Sequence, residues 1–344
     1  MNEGPGPVLV TGGTGFVGTA VVRRLAQEPS CSLRLLARLD SDLGPLASLA
    51  RPPEVIIGDV TDRPSLLEAA RGCGMVINCA GLNSFWERSR RPYRELNIDA
   101  VRNVAEAAVE SGAQKMVQVS TVMAYGFPAD SPFREESPPG RHASEYARSK
   151  SEGDQTARDV CESAALPLVT VYLAAVVGAG DRKSVMQIDR FVKGKVPLII
   201  DSPYRFTYVH IDDAAEAIAR AALAPRNAGE RYLVGRDRLT TQEYFEIIAD
   251  ASGVRMPPRT IGKHTTLTLA WLMSAAAKIT GRPPLMAYDL MATVYRASLL
   301  FDGSEAERKL GLHYSPVESG LRDAVGEILG RRAGPRSDGV AARP

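Results

Sequence analysis

Short apolar runs alternate with amphipathic stretches along the first half of the chain. The apolar runs are rich in β-branched residues, which is typical of buried parallel strands. They lie at 8–11, 33–37, 55–57, 75–78 and 116–119. Helical patterns lie between them, at 64–71, 92–111 and 144–164. The alternation predicts an α/β fold with a Rossmann-type, doubly wound parallel sheet, whose ligands bind at the carboxyl ends of the strands.

A glycine-rich turn follows the first apolar run. Gly12, Gly15 and Gly18 have the spacing G-x-x-G-x-x-G between a predicted strand and a predicted helix. Glycines in this position permit a tight turn and a close approach of the backbone to a pyrophosphate, and the helix N-terminus attracts phosphate. We therefore expect a dinucleotide to bind here, through Gly12, Thr14, Gly15, Phe16, Val17 and Gly18.

The end of the second predicted strand bears on the choice of cofactor. An acidic residue there would bind the ribose hydroxyls of NAD, but the chain has Arg38, a cation that suits the 2′-phosphate of NADP. The sequence favours NADP. NAD is the alternative, because Arg38 could also be solvated or stack on adenine with either cofactor.

Tyr146 and Lys150 form a Y-x-x-x-K pattern on a predicted helix, so both side chains can point into the same cleft. A free tyrosine has a pKa near 10. A neighbouring lysine cation and a positively charged nicotinamide both favour the phenolate. Tyr146 could then exchange a proton with a substrate alcohol or carbonyl.

Together these motifs resemble the extended short-chain dehydrogenases/reductases of the NAD-dependent epimerase/dehydratase type, from Val8 to about Leu329. The resemblance implies that Thr121 orients the reacting oxygen, that Lys150 lowers the tyrosine pKa, and that Asn97 lies near the active site. It also implies further cofactor contacts, by Asp59, Val60, Cys79, Ala80, Gly81, Ser120, Tyr146, Lys150 and Leu173.

Three departures from the family pattern narrow the expected function. Val122 and Met123 stand where sugar dehydratases of the family carry an Asp-Glu acid–base pair. Phe206 stands where nucleotide-sugar epimerases usually place an arginine, and Arg205 should face the other side of its strand. Leu173 follows Tyr172 where the family commonly has Arg-Pro, which puts the backbone near the nicotinamide in doubt.

Segments 229–243 and 309–316 resemble the 3β-hydroxysteroid dehydrogenase and dihydroflavonol reductase branch, whose members mostly act on bulky, often apolar molecules. We therefore expect an NAD(P)-dependent oxidoreductase that interconverts a carbonyl and an alcohol on such a substrate. A nucleotide-sugar epimerase is the first alternative. A non-catalytic dinucleotide sensor or assembly subunit is the second, although such relatives usually lack the tyrosine–lysine pair.

The roles of several loops are inferred only from their positions in the sequence. The candidate substrate residues are Asn83, Phe85, Trp86 and Met123. The proline-rich segment 127–143 is either a lid or a static covering loop, with His142 as a solvated or capping residue. His210 and Asp212 are interpreted as helix-capping residues rather than catalytic ones.

The second half is less regular. Segment 265–280 is apolar, and we expect a core helix there, with peripheral contact to a membrane surface as the alternative. A homodimer through helices 92–111 and 144–164 is possible in this family. The predicted cofactor domain is 1–177 plus about 206–235. The predicted substrate lobe, which is mostly helical, is about 178–205 plus 236–330, and 331–344 is a predicted disordered tail.

Composition excludes some classes of protein. The formal net charge is +2, from 42 Lys and Arg against 40 Asp and Glu, which argues against nucleic acid as a partner. The spacing of the four cysteines predicts neither disulfides nor a metal site. The start shows no signal peptide pattern and no apolar run is long enough to span a bilayer, so the expected location is cytoplasmic.

Overall fold

A computed structural model of the chain describes residues 6–333. The strands in this range are β1 Val8–Thr11, β2 Leu33–Ala37, β3 Glu54–Ile57, β4 Met75–Asn78, β5 Lys115–Thr121, β6 Leu168–Leu173, β7 Ala175–Val177, β8 Ile199–Ile200, β9 Phe206–His210, β10 Arg231–Val234, β11 Asp237–Leu239 and β12 Thr260–Ile261. The helices are α1 Phe16–Leu25, α2 Gly44–Ala47, α3 Arg63–Ala70, α4 Arg91–Arg94, α5 Ala100–Glu110, α6 Glu145–Ser163, α7 Arg182–Val192, α8 Ile211–Leu223, α9 Thr241–Ser252, α10 Lys263–Thr280, α11 Tyr288–Val294, α12 Ser304–Leu310 and α13 Val317–Ala333.

The central sheet has seven parallel strands in the order β3-β2-β1-β4-β5-β6-β10. The strand order reverses between β1 and β4, which is the point where doubly wound sheets bind their ligands. The register places Thr11 beside Asn78, Asn78 beside Gln118, and Thr121 beside Leu173. The ends of β1, β4, β5 and β6 therefore meet at one edge, and the predicted fold class is confirmed.

Helices cover both faces of this sheet because neighbouring strand residues point to opposite sides. Val10 is buried with residues of α1 and α8, whereas Leu9 is buried with residues of α3, α5 and α6. Full burial of such a side chain stabilises the fold by about 1.5–3 kcal/mol. A third buried cluster joins α7, α9 and α13 and forms the core of the C-terminal lobe.

Two predicted elements are divided in the structure. Segment 92–111 is an almost continuous helix, but Glu95–Asp99 forms a π-helical turn between α4 and α5. Apolar periodicity cannot reveal such a turn, because it widens the helix without changing its residue types. Segment 168–177 splits after Leu173: β6 belongs to the central sheet, and β7 pairs with β9 in a three-stranded sheet that β11 completes.

The expectations for the C-terminal part have mixed outcomes. The helix predicted after Pro316 is α13, which spans Val317–Ala333. Residues 334–344, most of the predicted tail, lie outside the described residues. The core assignment of 265–280 is wrong, since only Thr266, Ala270 and Ala277 of α10 are buried. No helix within residues 6–333 is long and apolar enough to cross a membrane. The predicted domain boundaries stay a prediction.

Candidate active site

The turn after β1 leaves no room for side chains. Gly12 has φ +67°, and a Cβ on it would lie 2.6 Å from the nitrogen of Ala80. A Cβ on Gly18 would lie 2.1 Å from the carbonyl oxygen of Gly12. Gly15 caps α1 without a side-chain hydrogen bond, and the first turn of that helix holds no acidic residue. Bare backbone amides at a helix N-terminus fit a pyrophosphate, so this turn fits a dinucleotide.

A buried polar chain fixes the neighbouring strand ends. The Thr11 hydroxyl donates to Asn78 Oδ1 over 2.6 Å, and Asn78 Nδ2 donates to Gln118 Oε1 over 2.9 Å. Asn78 Oδ1 also accepts from the backbone nitrogen of Ala80, at 3.2 Å. Because these hydrogen bonds cross from β1 to β4 to β5, they hold the segment Cys79–Gly81 against the glycine turn.

Burial raises the pKa of the Cys79 thiol to about 12. It is therefore protonated at neutral pH and is not a nucleophile. The other cysteines are also free thiols.

The residues expected at the adenosine end lie apart from the reacting groups. Arg38 follows β2 with its side chain 65% exposed, and its Nε lies 3.3 Å from Asp40 Oδ1. Asp59 follows β3, and its carboxylate accepts from both the backbone nitrogen and the hydroxyl of Thr61. The Val60 carbonyl accepts from Asn103. Among residues 6–333, a surface ion pair with Asp40 is the one contact that holds the exposed Arg38 guanidinium, so it can reorient towards a phosphate at little cost.

Tyr146 occupies the first turn of α6. Ser144 caps this helix by accepting from the nitrogen of Ala147 at 3.2 Å. Tyr146 is 8% exposed, and Phe85 packs on it with ring centroids 5.4 Å apart. Burial raises the pKa of Tyr146 to about 12, opposed by a hydrogen bond with the Thr121 side chain. A buried, protonated phenol next to a threonine hydroxyl can donate a proton to a substrate oxygen.

Lys150 and Asp154 lie one turn further along the same helix. Lys150 Nζ donates to the Val119 carbonyl at 3.2 Å, and the Ser120 hydroxyl donates to Asp154 Oδ2 at 2.5 Å. Burial lowers the pKa of Lys150, whereas the Asp154 carboxylate acts to raise it. Asp154 therefore opposes the loss of charge that burial favours at Lys150, while it also acts to raise the pKa of Tyr146.

Asn97 sits in the π-helical turn and joins two parts of the site. Its side chain accepts from the Leu82 nitrogen at 2.7 Å and donates to the Leu82 carbonyl at 3.1 Å. It also donates to the Ser149 hydroxyl at 2.9 Å, and Ser149 donates to the Tyr146 carbonyl. A Cβ on Gly153 would lie 1.9 Å from the Asn97 carbonyl oxygen, so that glycine lets α6 approach the π-helical turn.

The predicted substrate residues are only partly brought together. Phe85 contacts Tyr146, whereas Asn83 is exposed. The Trp86 indole nitrogen is buried and has no hydrogen-bond partner within residues 6–333. Met123 is half-buried beside Thr121, and its backbone nitrogen donates to the Thr121 hydroxyl. Leu173 is buried next to Thr121 at the end of β6.

Buried contacts anchor the proline-rich segment 127–143 to the rest of the protein. Phe133 is 1% exposed and its nitrogen donates to the Leu300 carbonyl, while Glu135 accepts from the Leu233 nitrogen. Such buried anchors argue against a lid. His142 is half-buried, and its Nε2 lies 3.0 Å from the Ala124 carbonyl oxygen.

The junction of β9 and α8 matches its expected structural role. His210 caps α8 by accepting from the Asp212 nitrogen at 3.2 Å, and Asp212 is an exposed residue of the first turn. Arg205 is held elsewhere: its guanidinium donates to Glu243 at 2.6 Å and to the Arg238 carbonyl at 2.9 Å.

The order of these features along the chain agrees with one known family. The sequence profile described as "NAD dependent epimerase/dehydratase family" matches residues 8–235, which include the glycine turn, Tyr146 and Lys150. The chain belongs to the NAD-dependent epimerase/dehydratase family. It is an NAD(P)-dependent oxidoreductase of the extended short-chain dehydrogenase/reductase type.

Members of the NAD-dependent epimerase/dehydratase family with different activities resemble the chain. A Synechocystis protein provisionally named dihydroflavonol 4-reductase is 27% identical, with 92% of this chain and 93% of the relative covered. A ceramide reductase from Caulobacter vibrioides is 29% identical, with 81% and 80% covered. The structure of MoeE5 in complex with UDP-glucose and NAD superposes with a TM-score of 0.76 at 21% identity, covering 96% of this chain and 100% of that chain. That likeness shows the shared fold, and the homologous structure binds NAD.

The sequence patterns did not predict one buried residue of the site, Asp154. Asp154 is 2% exposed, although it lies on a helix whose sequence is mostly polar. The only signal in the sequence was its spacing, four residues after Lys150, which places both side chains on one helix face.

Proposed function

We propose that the chain is a reductase or dehydrogenase that interconverts a carbonyl and an alcohol on a bulky, apolar small molecule, with NADP as the preferred cofactor. The observation that carries the proposal is the joint burial of Tyr146, Lys150 and Asp154 beside Thr121 at the ends of β5 and α6. The names of the dihydroflavonol and ceramide reductases support a carbonyl substrate of this kind.

The proposed mechanism assigns one task to each side chain. The bound nicotinamide supplies or accepts the hydride. Thr121 orients the reacting oxygen, and Tyr146 donates a proton to it during reduction or accepts one during oxidation. Because burial raises the pKa of Tyr146 to about 12, its side chain is protonated at neutral pH and can donate the proton that reduction requires. Lys150 stabilises the phenolate that remains after the proton has left.

The cofactor assignment rests on two parts of the chain. Gly12, Gly15 and Gly18 would hold the pyrophosphate, and Tyr146 with Lys150 would lie at the nicotinamide end. The Arg38 guanidinium, exposed at the end of β2, would bind the 2′-phosphate of NADP. The first acidic residue after β2 is Asp40, two positions past Arg38, which weakens the case for NAD.

A nucleotide-sugar epimerase is the second candidate, since MoeE5 shares the fold and binds UDP-glucose. Two observations disfavour it. Arg205 is already paired with Glu243, and Phe206 occupies the position where epimerases usually place the arginine. Dehydration of a sugar is also disfavoured, because Val122 and Met123 replace the acid–base pair of the sugar dehydratases and cannot transfer protons.

Net consumption of cofactor separates the candidates. The chain is incubated with NADPH or NADH and a panel of apolar ketones and enones, and in parallel with UDP-glucose. We expect oxidation of NADPH with at least one apolar ketone and no formation of UDP-galactose. Epimerisation of UDP-glucose without consumption of added cofactor would overturn the proposal.

A further inference from the structure

The outer face of α10 is an exposed apolar surface. It comprises Leu269, Trp271, Leu272, Ala275, Ala276 and Ile279, and is called the α10 face below. Trp271 is 59% exposed, Leu272 52% and Ile279 85%. The buried residues of the helix, Thr266, Ala270 and Ala277, lie on its opposite side, and α10 packs against α11. At 1.5 Å per residue the 18-residue helix is about 27 Å long, so this face is an extended patch.

Further exposed apolar side chains follow the helix. Leu285 is 67% exposed and Tyr288 is 39% exposed. The nitrogen of Tyr288 donates to the Ser274 hydroxyl at 2.9 Å, so the segment after α10 folds back onto the helix. The apolar surface thus continues towards α11.

The charged residues of the chain segment that contains the α10 face all have one sign. Residues 251–288 contain no aspartate or glutamate. The same segment contains five exposed cations, Arg255, Arg259, Lys263, Lys278 and Arg282. Within residues 6–333 none of the five forms a salt bridge. A second copy of the chain would place like charges opposite each other, whereas an anionic lipid surface is complementary to both the cations and the apolar side chains.

The α10 face is connected to the catalytic helix. Asp289, in the first turn of α11, accepts from the backbone nitrogen of Glu145 at 3.0 Å. Glu145 directly precedes Tyr146, on which Phe85 packs. Arg88, from the same loop as Phe85, lies near Gly281 at the end of α10. The apolar surface therefore lies beside the elements that carry the reacting groups.

We propose that the α10 face docks on the surface of an anionic lipid bilayer, so that a bulky apolar substrate reaches Tyr146 from the membrane. The second half of this statement rests on the proposed function, whereas the docking itself does not. Trp271 would lie at the level of the headgroups, where tryptophan is favoured, and the cations would bind lipid phosphates.

Vesicle flotation of the full chain tests the docking. We expect co-flotation with phosphatidylcholine vesicles that contain about one third phosphatidylglycerol, weaker binding to phosphatidylcholine alone, and release at high salt. The double variant Trp271→Glu/Leu272→Glu should bind about tenfold more weakly or worse. Leu223→Glu, an exposed residue at the end of α8, is the matched control and should bind like the original chain.

A second double variant tests whether a loss of vesicle binding could instead come from a loss of folding. Lys278→Glu/Arg282→Glu leaves the apolar residues in place and should weaken binding to the anionic vesicles only. Absence of flotation by the original chain, or flotation that neither double variant reduces, would overturn the proposal. A double variant that leaves vesicle binding unchanged but turns a dimer into a monomer would show that a second copy covers the face instead.

Activity distinguishes this proposal from the proposed function. The Trp271→Glu/Leu272→Glu variant should reduce an apolar ketone dissolved in the aqueous phase like the original chain and lose activity only on the same ketone presented in vesicles. Vesicle binding by a chain that reduces no ketone would leave the docking intact and contradict the proposed function.

Discussion

Lys150 and Asp154 lie one turn apart on α6, and both are more than nine-tenths buried. Asp154 acts to raise the pKa values of both Lys150 and Tyr146. The carboxylate is held by the Ser120 hydroxyl, so its charge has a fixed position behind the lysine. We interpret Asp154 as a positioning residue that tunes the charge state of the catalytic pair.

Asp154→Asn should therefore move the pH profile of kcat for alcohol oxidation to lower pH. The rise of kcat with pH reports formation of the Tyr146 phenolate. This rise shifts to lower pH, because loss of the negative charge at residue 154 lowers the pKa of Tyr146. Asp159→Asn, on the exposed side of α6, is the control and should leave the profile in place. An unshifted profile in a folded Asp154→Asn enzyme would show that the carboxyl carries no charge.

Gly12→Ala should abolish cofactor binding. The added Cβ would meet the Ala80 nitrogen at 2.6 Å, which displaces the turn that faces the pyrophosphate. Gly72→Ala is a matched control, because Gly72 has φ +70° but a Cβ on it would meet nothing within 4 Å. Both variants should lose roughly 1–2 kcal/mol of stability from the positive φ. Calorimetry with NADPH should then show binding by Gly72→Ala alone; binding by both would contradict the assignment.

Arg38→Asp should reverse the cofactor preference. The guanidinium can bind a 2′-phosphate, whereas a carboxylate repels that group and binds ribose hydroxyls. We expect the ratio of kcat/KM for NADPH over NADH to fall about tenfold or more, as for loss of a charge-assisted hydrogen bond. Arg71→Asp, on the surface after α3, should not change the ratio. An unchanged ratio in Arg38→Asp would refute the preference for NADP.

Lys115→Met should destabilise the fold without affecting the site. Lys115 Nζ donates to the carbonyls of Ala221, Ala222 and Ala224 at 3.0, 2.9 and 2.6 Å, and so satisfies the C-terminal end of α8. Loss of these bonds leaves carbonyls unsatisfied, and we expect about 1–3 kcal/mol less free energy of unfolding. Lys193→Met, which breaks an exposed pair with Asp189, should change it by less than about 0.5 kcal/mol. Equal denaturation midpoints for the two variants would contradict this role.

The sequence predicted those parts of the fold whose burial follows a simple period. The strands of the central sheet are short apolar runs, and the turn at Gly12 must be glycine because of its positive φ. The break after Leu173 could not be predicted, because β6 and β7 are equally apolar and only their partners, β10 and β9, differ. The exposure of Trp271 was not predicted, because an apolar helix is normally buried. The sequence of the helix does not show whether other elements of the fold pack on it.

The candidate site was predicted where a motif has fixed spacing. Tyr146 and Lys150 share a helix face, and the structure places Thr121 beside them as the motif positions suggested. Asp154 and Ser149 could not be identified from the polar sequence of α6, because their burial depends on the close approach of the π-helical turn at Asn97. Long-range packing of this kind leaves little trace in a single sequence.

The most direct test of the account is the Tyr146→Phe variant, assayed for both turnover and cofactor binding. Removal of the hydroxyl deletes the proposed proton donor but keeps the ring that packs on Phe85. We expect kcat for reduction of a ketone by NADPH to fall by about 10²–10⁴, while the dissociation constant for NADPH stays within about threefold. Full activity in Tyr146→Phe would contradict the assignment of Tyr146 as the catalytic acid and base.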